Sequence, residues 1–310
     1  VPLNEPDEAV GSEAYGEESA APVSASAPSP AATPRVSLRE RRIGIIGAGA
    51  MGSAMCRGLV RSGAAPANRI LVSDLHPRHV QDLHSELGIR VADSNLQVAK
   101  YTDVILLAVK PATLPTVLAE IAESLKRDGG KPLPLLISIA AGVRISAIEG
   151  HLKDPIPVVR AMPNTPAQVG LGAAAYCCGT HADESHAAQA AGVFEAVGNA
   201  VEVPETMMDA VTALSGSGPA YVYLMIEALV DGGIKVGLPR DVAYKLAAQT
   251  VLGAAQMVLQ TGLHPAQLRD MVTTPAGTTI AALASLEHSG IRAALIDAVE
   301  CAANRARELG

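Results

Sequence analysis

The apolar stretch Ile43-Gly44-Ile45-Ile46 runs without a break into Gly47-Ala48-Gly49-Ala50-Met51-Gly52. A GxGxxG spacing alone is a weak signal. Here an apolar strand precedes it, a helical pattern over 51–62 follows it, and a second apolar run at 70–72 leads to Asp74. This context restricts residues 42–75 to a strand, a tight turn, a helix and a second strand of the Rossmann type, with a dinucleotide seated on the turn. Gly47 allows the turn, Gly49 leaves room for a pyrophosphate at the helix N-terminus, and Gly52 lets the helix approach the sheet.

The alternation continues. Apolar runs at 43–46, 70–72, 104–109, 135–139 and 158–161 read as strands, and 51–62, 78–87, 114–125 and 183–197 read as helices. Weaker strand signals lie at 173–178 and 200–203. Strands alternating with helices predict a parallel, doubly wound sheet covered on both faces. Ligands of such sheets lie at the carboxyl ends of the strands. That places Ala108-Val109-Lys110-Pro111, Ala140-Ala141-Gly142 and the segment 162–166, with Asn164, around the cofactor. Asp74 stands where an acid accepts from a ribose 2′-hydroxyl, which favours NADH, whereas His76 and Arg78 close by suit the extra phosphate of NADPH. Ser73 and Asn95 are further candidate cofactor contacts.

After Pro204 the pattern changes to Ala- and Leu-rich helices over 205–214, 219–236, 240–260, 264–272, 278–289 and 291–308, separated by Gly/Pro breaks. The organisation read from the sequence is a tail over 1–40, a dinucleotide-binding domain over 41–204 and a helical domain over 205–310. The helix over 219–236 is apolar on most faces, and a domain of this size offers it little interior. A partner subunit is the expected cover.

Composition removes several other classes. Aromatic residues are only 2%, so stacking platforms for single-stranded nucleic acid are scarce. The net charge is −7, and the six acids among residues 1–30, which include no Lys or Arg, leave the remainder at −1. No basic footprint for nucleic acid is present. The Ala-, Ser-, Pro- and Glu-rich residues 1–40 read as a disordered tail that does not resemble a mitochondrial presequence. Cys56, Cys177, Cys178 and Cys301 form no CxxC, and neighbours such as Cys177 and Cys178 point to opposite faces of a strand. The eight histidines show no zinc spacing, so no metal is expected. The uncharged apolar run at 104–109 is far short of a bilayer span.

No nucleophile–base–acid constellation is evident. Two glycine-rich segments in the helical half stand out instead: Ser215-Gly216-Ser217-Gly218-Pro219-Ala220-Tyr221 and Thr273-Thr274-Pro275-Ala276-Gly277-Thr278-Thr279. Both can serve simply as helix–helix turns. The second also opens a helix with free backbone N–H groups and hydroxyls, which makes an anion site without a charged side chain. Together with the segments at 162–166, 231–240 and 264–270, they resemble the pyrroline-5-carboxylate reductase family from about Arg42 to Leu309. The resemblance implies a Rossmann domain followed by a helical dimerisation domain. It also implies hydride transfer from NADPH or NADH to the cyclic imine of pyrroline-5-carboxylate, giving proline in the cytoplasm. It places Thr279 at the ring nitrogen and the N–H groups of Gly277, Thr278 and Thr279 at the carboxylate, with Asn164 and Ser215 as further substrate contacts. It implies homodimers assembling into a decamer, without nucleic acid or membrane partners.

Three positions depart from the animal enzymes of that family: Gly262 for a glutamate, Met271 for an asparagine and Asp74 for a serine. Competing readings fit less well. A hydroxyacid dehydrogenase of the 6-phosphogluconate type is expected to carry a catalytic lysine with an asparagine a few residues on, and Lys235 and Lys245 lack that spacing. A non-catalytic dinucleotide sensor leaves the 273–279 segment unexplained.

Overall fold

A computed structural model describes residues 38–125 and 132–309. The predicted tail over 1–40 lies outside these except at its end. Leu38–Glu40 form a 3-10 turn with Leu38 buried, and Arg69 donates to the Glu40 carbonyl. The body therefore begins before residue 41, because Leu38 packs into the core that the preceding residues were not expected to reach.

Eight strands form one sheet: β1 Ile43–Ile46, β2 Ile70–Ser73, β3 Arg90–Val91, β4 Val104–Leu107, β5 Leu135–Ser138, β6 Val158–Met162, β7 Gly172–Cys178 and β8 Gly198–Glu202. Their order is β3-β2-β1-β4-β5-β6-β7-β8. The strands β1, β2, β4 and β5 are buried on both faces, which explains their apolar sequences, with Ser73 and Ser138 the polar exceptions at two strand ends. Ile43, Ile45, Val72 and Leu106 pack into one core layer, and Ile46, Leu71, Ile105 and Leu107 into the other.

The covering helices are α1 Ala50–Arg61, α2 Pro77–Leu87, α3 Asn95–Tyr101, α4 Leu114–Ile121, α5 Ile145–Glu149 and α6 Glu184–Glu195. Local chemistry sets their ends. Pro77 opens α2 and Gly88 closes it at φ 72°, Ser94 caps α3, and Asp183 caps α6 in a box with His186.

Three features differ from the sequence expectation. The sheet is not wholly parallel, since β6 and β7 run antiparallel. The link between them, residues 163–171, holds only a 3-10 turn and is too short for a crossover helix. The strand expected over 104–109 ends at Leu107, which frees Ala108 and Val109 to form the turn. The short elements β3, α3 and α5 have too few residues to show a period.

The helical half contains α7 Met208–Val211, α8 Gly218–Lys235, α9 Arg240–Thr261, α10 Pro265–Met271, α11 Thr278–His288 and α12 Ile291–Leu309. The helix expected over 205–214 is divided into a 3-10 turn Glu205–Met207, α7 and a π-turn Thr212–Gly216. α8 packs on α9, α10 on α9, α11 on α12, and α12 returns to α7 and the π-turn. Gly262 closes α9 at φ 65°, a conformation glycine adopts without strain.

Little of this half is covered. Val230, Ala243 and Ala247 are its small buried cluster, while Leu224 on α8 and Leu259 on α9 are 68% and 69% exposed. The expected burial of the helix over 219–236 is thus not met within one chain. By length and composition α9 is also apolar enough to cross a membrane, although Gln249, Thr250 and Gln256 break its sequence into short apolar runs.

Candidate active site

The strand order reverses between β1 and β4, and the glycine turn sits at their carboxyl ends. Gly47 has φ +101°, and a Cβ there would stand 2.6 Å from the Ala108 carbonyl oxygen. Its N–H donates to the Ser73 carbonyl at 2.8 Å, and Ala108 N–H donates to the Ile46 carbonyl at 2.8 Å. A Cβ on Gly52 would stand 2.0 Å from the Gly47 oxygen. Gly49 is different: a Cβ there would meet nothing within 4 Å. Gly47, Ala48 and Gly52 are buried and shape the turn, whereas Gly49 and Ala50 are exposed and Met51 is half-buried. Gly49 is the N-cap of α1 and has no capping side chain, so the first-turn N–H groups face open space. The turn fits a pyrophosphate.

Asp74 is bound into this turn. Its Oδ2 accepts from Ala48 N–H at 2.6 Å and its Oδ1 from His76 N–H at 2.7 Å, with His79 Nδ1 3.4 Å away. The carboxylate is fixed at the end of β2, beside the turn. Ser73 is buried and donates to Asn95 Oδ1 at 2.7 Å, and Asn95 donates to Glu120 Oε2 at 2.8 Å. The Ser73 hydroxyl therefore holds Asn95, and Asn95 is the member of the pair that reaches the surface.

The other predicted strand-end residues lie at the same edge of the sheet. Ala108 and Val109 are half-buried, Lys110 and Pro111 exposed, and Pro111 opens a 3-10 turn. Ala140 is buried, Ala141 is exposed and Gly142 turns the chain at φ +77°.

Two polar ties join this edge to the helical half. Asn164 is buried, donates to the Ser215 carbonyl at 3.0 Å and accepts from Ala173 N–H at 2.8 Å. Ser215 Oγ donates to the Val211 carbonyl within the π-turn. The second tie was not anticipated from sequence. Arg160, on β6 and nearly buried, donates to Glu205 Oε1 at 3.0 Å, and the same oxygen accepts from Ile145 N–H at 2.7 Å. The available signal was one arginine inside the apolar run Val158-Val159-Arg160-Ala161. Cys177 lies beside the Arg160 carbonyl, and burial pushes its thiol up to about 12, as it does for Cys56. These thiols are inert at neutral pH. Among the described residues no group of three or more His, Cys, Asp or Glu is placed to hold a metal.

The segment 273–279 links α10 to α11. Ala276 has φ +57° and Gly277 N–H donates to the Thr274 carbonyl at 3.0 Å. The Gly277 N–H, expected to meet a substrate carboxylate, is thus taken by its own turn. Gly277 is the N-cap of α11 without a side-chain cap, which leaves the N–H groups of Thr278 and Thr279 at an open helix terminus. Thr278 is exposed and Thr279 half-buried. Within one chain α11 packs on α12, so the fold brings Asn164 and Ser215 to the sheet edge but packs this segment among the helices.

Residues 205–309 match a family described as pyrroline-5-carboxylate reductase dimerisation, and residues 42–142 match one described as NADP oxidoreductase, coenzyme F420-dependent. A pyrroline-5-carboxylate reductase of Methanosarcina acetivorans is 46% identical over 273 residues, covering 88% of this chain and 99% of that protein. The chain belongs to the pyrroline-5-carboxylate reductase family. A solved structure of this enzyme from Coxiella burnetii superposes with a TM-score of 0.82 at 38% identity, covering 87% of this chain and 98% of that one. One from Plasmodium falciparum, with NADP bound, gives 0.77 at 32% identity, covering 88% and 99%.

Membership in the pyrroline-5-carboxylate reductase family accounts for the open helical half. The dimerisation match begins at Glu205, the residue that Arg160 holds, and includes the exposed apolar faces of α8 and α9. The span of that match contains both these faces and α9, the helix apolar enough to cross a membrane.

Proposed function

We propose that the chain reduces 1-pyrroline-5-carboxylate to L-proline at a site made by the strand-end turns of one subunit and the 273–279 segment of another. The observation that carries this reading is the pairing of an open pyrophosphate cradle at Gly49 with an uncapped helix N-terminus at Thr278 and Thr279, in a chain of this family.

The residues fit a dinucleotide. Gly47, Ala48, Gly49, Ala50, Met51 and Gly52 would hold the pyrophosphate, Asp74 the adenosine ribose, with Asn95 and Ser73 behind it, and 108–111 and 140–142 the nicotinamide end. When bound, the dinucleotide supplies the hydride. The chain's own residues supply position. Thr278 and Thr279 N–H groups receive the carboxylate of the imine, and the Thr279 hydroxyl bonds the ring nitrogen. A protonated imine is already electrophilic, so no strong acid is required of the protein, and orientation carries the rate. Asn164 and Ser215 shape the floor of the site through the π-turn. Asp74 accepts a free ribose 2′-hydroxyl and disfavours a 2′-phosphate by charge, which favours NADH.

The division is 41–204 for the dinucleotide and 205–310 for substrate and dimerisation. The assembly is a homodimer, further assembled to a decamer, in the cytoplasm. The deciding assay is oxidation of NADH or NADPH that depends on added pyrroline-5-carboxylate. No turnover with either coenzyme overturns the assignment. Light scattering reads the assembly, and a monomer at micromolar concentration overturns the shared site.

A further inference from the structure

At the opposite end of the sheet from the glycine turn, a cavity of about 210 Å³ lies between the starts of β1, β2 and β3. Arg42, Arg69 and Arg90 line it, with Asn68 and Tyr101. These arginines are far apart in sequence and are gathered by the strand order. Only Arg42 has an acid, Asp103, which receives its Nε at 3.0 Å and fixes it in place. Arg69 meets Glu40 through the main-chain carbonyl, and Arg90 has no acidic partner among the described residues.

This excess is not a general property of the surface, since residues 31–310 carry a net charge near zero. Like charges held together repel one another, so an anion that enters relieves a repulsion as well as adding attraction. Guanidinium forks match the oxygens of a phosphate group. The cavity is smaller than a typical cofactor pocket, which spans about 300–1,000 Å³, and suits one phosphate group with its waters. The strand β1 separates it from the pyrophosphate cradle by about 13 Å at the usual rise per residue. We infer that this cavity is a second anion site that takes a single phosphate group, as free phosphate or as a small phosphomonoester.

The test is calorimetric titration of sodium phosphate into the full chain held with NADPH and L-proline, so that the other anion-binding places are filled, against sodium chloride at equal ionic strength. One phosphate per chain is expected. Arg69→Met with Arg90→Met weakens it at least tenfold, Arg90→Met alone weakens it less, and kcat and the coenzyme KM are unchanged in both. Glycerol 3-phosphate in a parallel arm assigns the source: tighter binding than phosphate identifies an ester, weaker binding the free ion. Absence of phosphate binding beyond the chloride control, or equal affinity in the double variant, overturns the inference.

Discussion

Two glycines three residues apart make opposite predictions when each is replaced by alanine. At Gly52 the new methyl would stand 2.0 Å from the Gly47 carbonyl oxygen and 3.2 Å from the Ala108 side chain. The obstacle is backbone, so it cannot rotate away, and the turn must move by roughly 1 Å to reach ordinary contact. Overpacking of this kind costs about 1–3 kcal/mol, and a backbone clash belongs at the upper end. At about 2–4 °C per kcal/mol for a chain of this size, Gly52→Ala loses roughly 6–12 °C of melting temperature. At Gly49 the methyl meets nothing, and φ −66°, ψ −171° is open to any residue. The folding cost is that of an N-cap glycine replaced by alanine, about 1 kcal/mol or less. The methyl does occupy the space a pyrophosphate must enter. One charge-assisted hydrogen bond lost there is about 1.5–3 kcal/mol, and coenzyme Kd rises roughly tenfold to a hundredfold. Thermal melts read the first effect and calorimetric titration with NADH and NADPH the second. Unchanged affinity in Gly49→Ala, or equal loss of melting temperature in both variants, refutes the division between a glycine that shapes the turn and one that admits the ligand.

Thr279→Ala lowers kcat about tenfold or more, the scale of one lost positioning hydrogen bond, with coenzyme affinity held and Thr279→Ser recovering most of the rate; an unchanged kcat removes Thr279 from the ring nitrogen. Asp74→Ser moves the ratio of kcat/KM values toward NADPH, and since it also removes the acceptor of Ala48 N–H, both coenzymes bind more weakly. Glu205→Gln leaves Arg160 without its countercharge and costs about 1–3 kcal/mol in denaturant melts, below the figure for a fully buried pair because a third of the Glu205 side chain reaches water; adding Arg160→Met recovers part of the loss. Burial raises the Asp103 carboxyl, but the hydrogen bonds and charge of Arg42 outweigh it and hold the group below the usual aspartate range. A lowered value stabilises the fold above the unfolded-state titration and ceases to do so as pH falls, so Asp103→Asn is less stable than the parent at pH 7 and the gap closes below about pH 4.

The sheet was legible because parallel strands buried on both faces must be largely apolar, and 43–46, 70–72 and 135–139 are, with Ser138 the one polar residue among them. What escaped was short or irregular. α5 has five residues and no period to detect. The π-turn at Thr212–Gly216 shares its sequence with an ordinary helix, and only tertiary bonds from Asn164 and Tyr221 distinguish it. The reversal of β7 was encoded in the short link 163–171 and went unread because alternation was taken to imply a uniform direction. The candidate coenzyme residues could be named from local spacing alone. The Arg160–Glu205 tie could not, because its partners are separated by the edge of the sheet, and chain order says nothing about which acid a buried arginine will find.

These ties bear on how a divided site keeps its geometry. In the proposed site the dinucleotide end would stand on strand ends and the substrate end on a helix N-terminus that packs elsewhere in its own chain. If the two ends meet across subunits, any looseness between the halves of one chain becomes misalignment of imine and hydride donor. Glu205 binds the start of the helical half to Arg160 on β6 and to Ile145 N–H, directly after the 140–142 turn proposed for the nicotinamide end. Asn164 binds the π-turn to Ala173 on β7. Arg160 and Asn164 are buried, where an unpaired polar group is costly, so each tie resists opening. The two ties therefore hold the start of the helical half against the sheet edge at the 204–205 junction.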